Sequence, residues 1–132
     1  MRILISLGFA FALHASSLFA QMPFELVHIA IEEAYSAPSY SGGSDALATY
    51  IHDRLQYPEL AVDYSIEGTV VLRLTIDKAG QIANTEVVQS LGFGCEEAAK
   101  NAIDGMPGWQ AARRGNRAEE SIVLLPIRFR LR

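Results

Sequence analysis

SIVLLPIRFRLR, Ser121 to Arg132, alternates without a break. Val123, Leu125, Ile127, Phe129 and Leu131 fall on one side, and Ile122, Leu124, Pro126, Arg128 and Arg130 on the other. This is the period of a half-buried strand. Pro126 then locates that strand in its sheet. Proline has no N–H to give to a ladder, so position 126 belongs to an edge strand, with its nitrogen turned away from the neighbour. Such an edge carries unpaired backbone groups and can accept an extended peptide as a further strand. Arg128 and Arg130 discourage indiscriminate pairing and also attract an acidic or polar peptide, so a protective role and a binding role are both open here.

Working back from this strand, MPGWQAARRGNRAEE reads as a loop with a turn at Gly115-Asn116. Trp109 within it reads as a lid on the core. Before it, CEEAAKNAIDGM places Cys95, Ala98 or Ala99, Ala102, Ile103 and Met106 on one helical stripe. Glu96 and Glu97 suit the positive end of that helix, and Gly105 with Pro107 closes it. Cys95 has no second cysteine and no convincing histidine partner, which favours a buried structural thiol over a reactive one.

GTVVLRLTIDKAGQIANTEVVQS alternates Val70, Leu72, Leu74 and Ile76 against Thr69, Val71, Arg73 and Thr75. It turns at Asp77-Lys78-Ala79-Gly80 and resumes as a second extended run, the pattern of a β-hairpin, with Gly80 supplying positive φ. Further back, SDALATYIHDRL aligns Leu47, Tyr50, Ile51 and Leu55 as a helix, with Ser44 as its N-cap. Tyr57-Pro58 ends it, and PELAVDY can form a short further turn. The order helix, strand, strand, helix, strand predicts a small α+β domain: a three-stranded antiparallel sheet with two helices packed on one face.

At the front, MRILISLGFAFALHASSLFAQ has one positive charge, an apolar run from Ile3 to Leu13 and small or polar residues up to Ala20. This predicts a secretory signal peptide over residues 1–20, cleaved after Ala20, with an uncleaved anchor as the alternative. Export points to a periplasm. Residues 21–43 read as a poorly defined lead-in, with a weak strand at Leu26–Ile31 and then a loop, and residues 44–132 as the domain.

The charge is divided. Residues 22–104 carry 13 acidic and 4 basic side chains, whereas residues 105–132 carry 6 Arg and 2 Glu. No basic cluster is interleaved with stacking aromatics, which argues against nucleic acid. His28 has no His, Cys or Asp at metal-ligand spacing, and with only His28 and His52 left after processing metal binding is not expected. No Ser-His-Asp set or paired carboxylates mark a catalytic centre. No catalytic residue, metal, cofactor or small-molecule substrate is expected.

YPELA, GTVVLRLTIDKAGQIANTEVVQSLGFGCEEAAKNAI, MPGWQAARRGN and LPIRFRL, in that order over Tyr57 to Leu131, resemble the C-terminal domain of TonB energy transducers, the Bacteroidetes-like variety in particular. The resemblance implies a periplasmic, non-enzymatic domain. Such a domain captures an N-terminal segment, the TonB box, of an outer-membrane receptor by pairing it with the final strand. It further implies that Tyr57, Pro58, Ile122, Leu124, Pro126, Arg128 and Arg130 meet the partner. Typical members carry a transmembrane anchor and a Pro-rich spacer, and neither is read in this chain, so energy transduction by it alone is not expected. The alternative is a self-association module in which two final strands pair as a homodimer.

Overall fold

The computed structural model describes residues 34–132. The signal peptide, the strand read at Leu26–Ile31 and His28 lie outside the described residues. In chain order the elements are β1 (Tyr35–Ser36), β2 (Ser39–Tyr40), α1 (Gly43–Arg54), α2 (Glu59–Asp63), β3 (Gly68–Ile76), β4 (Ile82–Gln89), α3 (Cys95–Ile103), β5 (Trp109–Gln110), β6 (Ala112–Arg114), β7 (Arg117–Glu119) and β8 (Ser121–Phe129). The main sheet has the order β4-β3-β8 and is antiparallel throughout. The α+β class and the three-stranded sheet are as expected. Beside the two longer helices stands a third, α2, one turn long, formed where Pro58 starts a helix after the α1 stop.

The core follows the alternation. Val70, Leu72, Leu74 and Ile76 of β3 and Leu125, Ile127 and Phe129 of β8 are buried, and Ile51 of α1 and Cys95, Ala99 and Ile103 of α3 pack with them. Met106 and Trp109 complete the cluster, so the tryptophan does close the core. At the β3–β4 turn the Asp77 carboxylate accepts the N–H groups of Ala79 and Gln81, both at 2.9 Å. Gly80 there has φ +78°, and a Cβ on it would collide with the Trp109 carbonyl oxygen. The turn thus needs glycine both for its backbone and for its neighbour.

Three local readings change. Helix α1 begins at Gly43 with Gly42 at the N-cap in a left-handed conformation, so Ser44 lies inside the helix instead of capping it. The segment 109–119, read as a loop, contributes three short strands, with Gly115-Asn116 as the turn of the β6–β7 hairpin. Two-residue strands from the lead-in pair with it: Tyr35 opposite Arg114, and Tyr40 opposite Trp109. Pairs this short have no periodicity of their own, because each exists only once its partner is in place.

Candidate functional site

Strand β8 is an edge strand, as Pro126 requires. Its register against β3 runs unbroken over nine pairs, from Gly68 opposite Phe129 to Ile76 opposite Ser121. Within a strand, the N–H and C=O of one residue point to the same side, and successive residues alternate. The Gln89 side-chain amide donates to the Thr69 carbonyl at 2.8 Å, so Thr69, and with it Val71, Arg73 and Thr75, face β4. Gly68, Val70, Leu72, Leu74 and Ile76 therefore face β8. Their partners Phe129, Ile127, Leu125, Val123 and Ser121 are the bonded members of that ladder. The in-plane groups of Ile122, Leu124, Pro126 and Arg128 consequently point out from the sheet. Proline sits where no donor is asked of it.

The opposite edge differs. Along β4 the register passes from Gln89 to Val87 as β3 passes from Val71 to Leu72, and from Asn84 to Ile82 as β3 passes from Thr75 to Ile76. Val88 and Ala83 are thus extra residues, two β-bulges in eight residues. Bulges twist and interrupt an edge, which hinders further pairing. Among the described residues the sheet therefore has one irregular edge and one straight, open edge.

The side chains at the open edge are sorted by the same parity. Ile122, Leu124, Pro126 and Arg128 are exposed, whereas Leu125, Ile127 and Phe129 are buried. Arg130 is exposed too and lies just past the strand end. Tyr57 and Pro58 stand at the α1–α2 junction and are half-buried. The Tyr57 ring meets Phe129 edge-on, centroids 5.4 Å apart, and its hydroxyl donates to the Ile66 carbonyl. This ties the helical junction to the start of β3 and the end of β8. Desolvation, and then the nearby Glu67 and Cys95, hold the Tyr57 phenol above its ordinary pKa, so it stays a donor.

Tyr57 and the C-terminal arginines meet in one hollow of about 310 Å³. Its floor is Leu55, Tyr57 and Phe129, and its rim is His52, Arg128, Arg130 and Arg132. Pro58 lines a second depression with Arg54 and Asn101, and Tyr57 lines both, so the two hollows meet at Tyr57. The structure brings Ile122, Leu124, Pro126 and Arg128 onto one edge and joins Tyr57 and Arg130 to its far end. His52 and Arg132 were not singled out by the sequence, because the hollow is assembled from α1 and the chain end, which are remote from each other along the chain.

Burial, and then Glu96, push the Cys95 thiol above its ordinary pKa, consistent with the structural reading. No cluster of three or more His, Cys, Asp or Glu suited to a metal occurs among the described residues. A larger hollow, about 880 Å³, lies between the Asp77–Gly80 turn, α3 and Trp109, away from the open edge.

The sequence profile described as "Gram-negative bacterial TonB protein C-terminal" matches residues 53–131, more than half of the chain. The protein TonB2 of Pseudomonas aeruginosa is 35% identical over 89 residues, covering 65% of this chain and 32% of that relative. The chain thus spans about a third of the length of the curated relative it matches. Two solution structures of the Helicobacter pylori TonB C-terminal domain align with TM-scores of 0.49, at 24% and 25% identity. Each covers 64% of this chain, and the alignments take in 89% and 76% of those structures.

Proposed function

This chain belongs to the family of Gram-negative bacterial TonB C-terminal domains, and from that premise we propose that it binds N-terminal segments of TonB-dependent outer-membrane receptors by strand addition to β8. Membership carries the connection to TonB-dependent transport. The observation that supports the finer reading is the open edge, with outward N–H groups at Ile122, Leu124 and Arg128 and outward carbonyls at those residues and Pro126. Each pairs with an extended peptide at no cost to the existing ladder. Periplasmic residence, export by residues 1–20 and the absence of catalysis belong to the same reading. Contacts at Tyr57, Pro58 and Arg130 extend it beyond the strand.

Backbone amide shifts followed during titration with receptor N-terminal peptides test it. The expected result is a set of shifts concentrated on Ser121–Phe129. No shift at roughly 1 mM peptide would remove the reading, since even weak recognition is visible at that concentration.

A second reading rests on the same edge. Ile122 and Leu124 are large, apolar and 47% and 61% exposed, which suits pairing of two β8 strands across a two-fold axis. Sedimentation over a wide concentration range separates the two. A strict monomer discards the second.

A further inference from the structure

The open edge is not uniform along its length. Its first half exposes Ile122 and Leu124. Beyond Pro126 the character changes, with Arg128 and Arg130 exposed and Arg132 and His52 on the rim of the same hollow. None of these three arginines has an ion-pair partner among the described residues, whereas Arg73 and Arg114 are paired with Glu86 and Glu119. Glu67, which lines this end beside Arg128 and Arg130, has a carboxylate oxygen 2.6 Å from the Leu131 backbone nitrogen, whose N–H it accepts. Among the described residues, three arginines thus stand at one end of the open edge, facing the single carboxylate of Glu67, with Asp53 beside His52.

On a neighbouring strand, side chains stand directly opposite one another, so charges of opposite sign there stabilise the pairing and like charges oppose it. Resting on the strand-addition reading above, we infer that the edge selects segments divided lengthwise. One half of such a segment is apolar and lies against Ile122 and Leu124. The other half carries carboxylates and lies against Arg128 and Arg130, with Arg132 and His52 at the end of the hollow. Pro126 marks the division. In an antiparallel segment the residue opposite it can donate to the Pro126 carbonyl, but its own carbonyl finds no donor there and must face water. Proline is therefore disfavoured at that position of an antiparallel segment, because its missing N–H would leave the Pro126 carbonyl without a partner in the segment as well.

The test uses the full chain and four capped peptides of alternating valine and threonine. One pair carries two glutamates at its first positions or at its last; the other pair carries glutamines in their place. Affinities are read from the β8 amide shifts at low and at high salt. Segment direction is left to the measurement. In whichever direction binds, the glutamate peptide is expected to bind roughly fivefold more tightly than its glutamine counterpart at low salt, the ratio falling toward one at high salt. In Arg128→Gln/Arg130→Gln, with amide dispersion of the rest of the sheet unchanged, the ratio is expected to stay near one at both salts. Equal affinities of glutamate and glutamine peptides, with shifts still on β8, would overturn the lengthwise selection and leave strand addition standing. Absence of β8 shifts with any of the four would overturn both.

Discussion

Glu96 illustrates how a single side chain holds a junction together. Its carboxylate accepts the N–H groups of Gly92 and Leu91, closing the loop that delivers the chain from β4 to α3. Those bonds, Gly92 first, hold its carboxyl below the ordinary range, against the opposing effect of burial. A folded-state pKa below the unfolded one adds stability that is present above the unfolded value of about 4.3 and lost as the pH falls through the folded value. Glu96→Gln is therefore expected to flatten the acid limb of the stability curve, as measured by urea unfolding from pH 6 downward. Glu96→Ala should cost about 1 kcal/mol at neutral pH. Gly80 is the stricter residue. Alanine there meets both the left-handed backbone and the Trp109 carbonyl, so Gly80→Ala is expected to lose roughly 2–4 kcal/mol and to perturb the fluorescence of the single tryptophan.

At the scale of the element, β8 has two kinds of amide. Those of Val123, Leu125, Ile127 and Phe129 are tied to β3, whereas those of Ile122, Leu124 and Arg128 face outward. Hydrogen exchange should alternate along the strand in the same order. Proline substitution sharpens the comparison: Leu124→Pro removes an outward donor and is expected to keep the fold while abolishing segment binding. Leu125→Pro removes a ladder donor together with a buried side chain and should cost roughly 2–5 kcal/mol. A Leu124→Pro variant that folds and retains full affinity would contradict strand addition. Much of this element was legible in advance, because a sheet with one face buried writes its orientation into every second residue, from Val123 to Phe129. Pro126 added its place at the edge. The bulges at Ala83 and Val88 were not legible, since both flank ordinary strand residues, and the shift in register exists only relative to β3. The hollow was half legible. Arg128 and Arg130 stood out, but the helix that brings His52 to them was placed by packing of Ile51 and Leu55 on the core.

Over the whole described molecule, the early residues are clasped by the late ones. Besides the β1–β6 and β2–β5 pairs, the Ser41 N–H donates to Gly108 and the Gly115 N–H to Ala34, each at 2.7 Å. Tyr40 stands edge-on to Trp109, with ring centroids 5.4 Å apart. A chain that starts at Ser44 loses these contacts and is expected to be less stable by about 2 kcal/mol, with red-shifted tryptophan emission as water reaches Trp109. Unchanged emission would mean that the core closes over Trp109 without the clasp.

Two bulges on β4 and none on β8 make the described sheet monovalent. Copying itself and capturing a segment then draw on one resource, and each excludes the other. If dimers form at all, segment affinity must fall as protein concentration rises, and added segment must return the dimer to monomers. An assay run at high protein concentration would then understate the affinity, and only dilution would recover the true value.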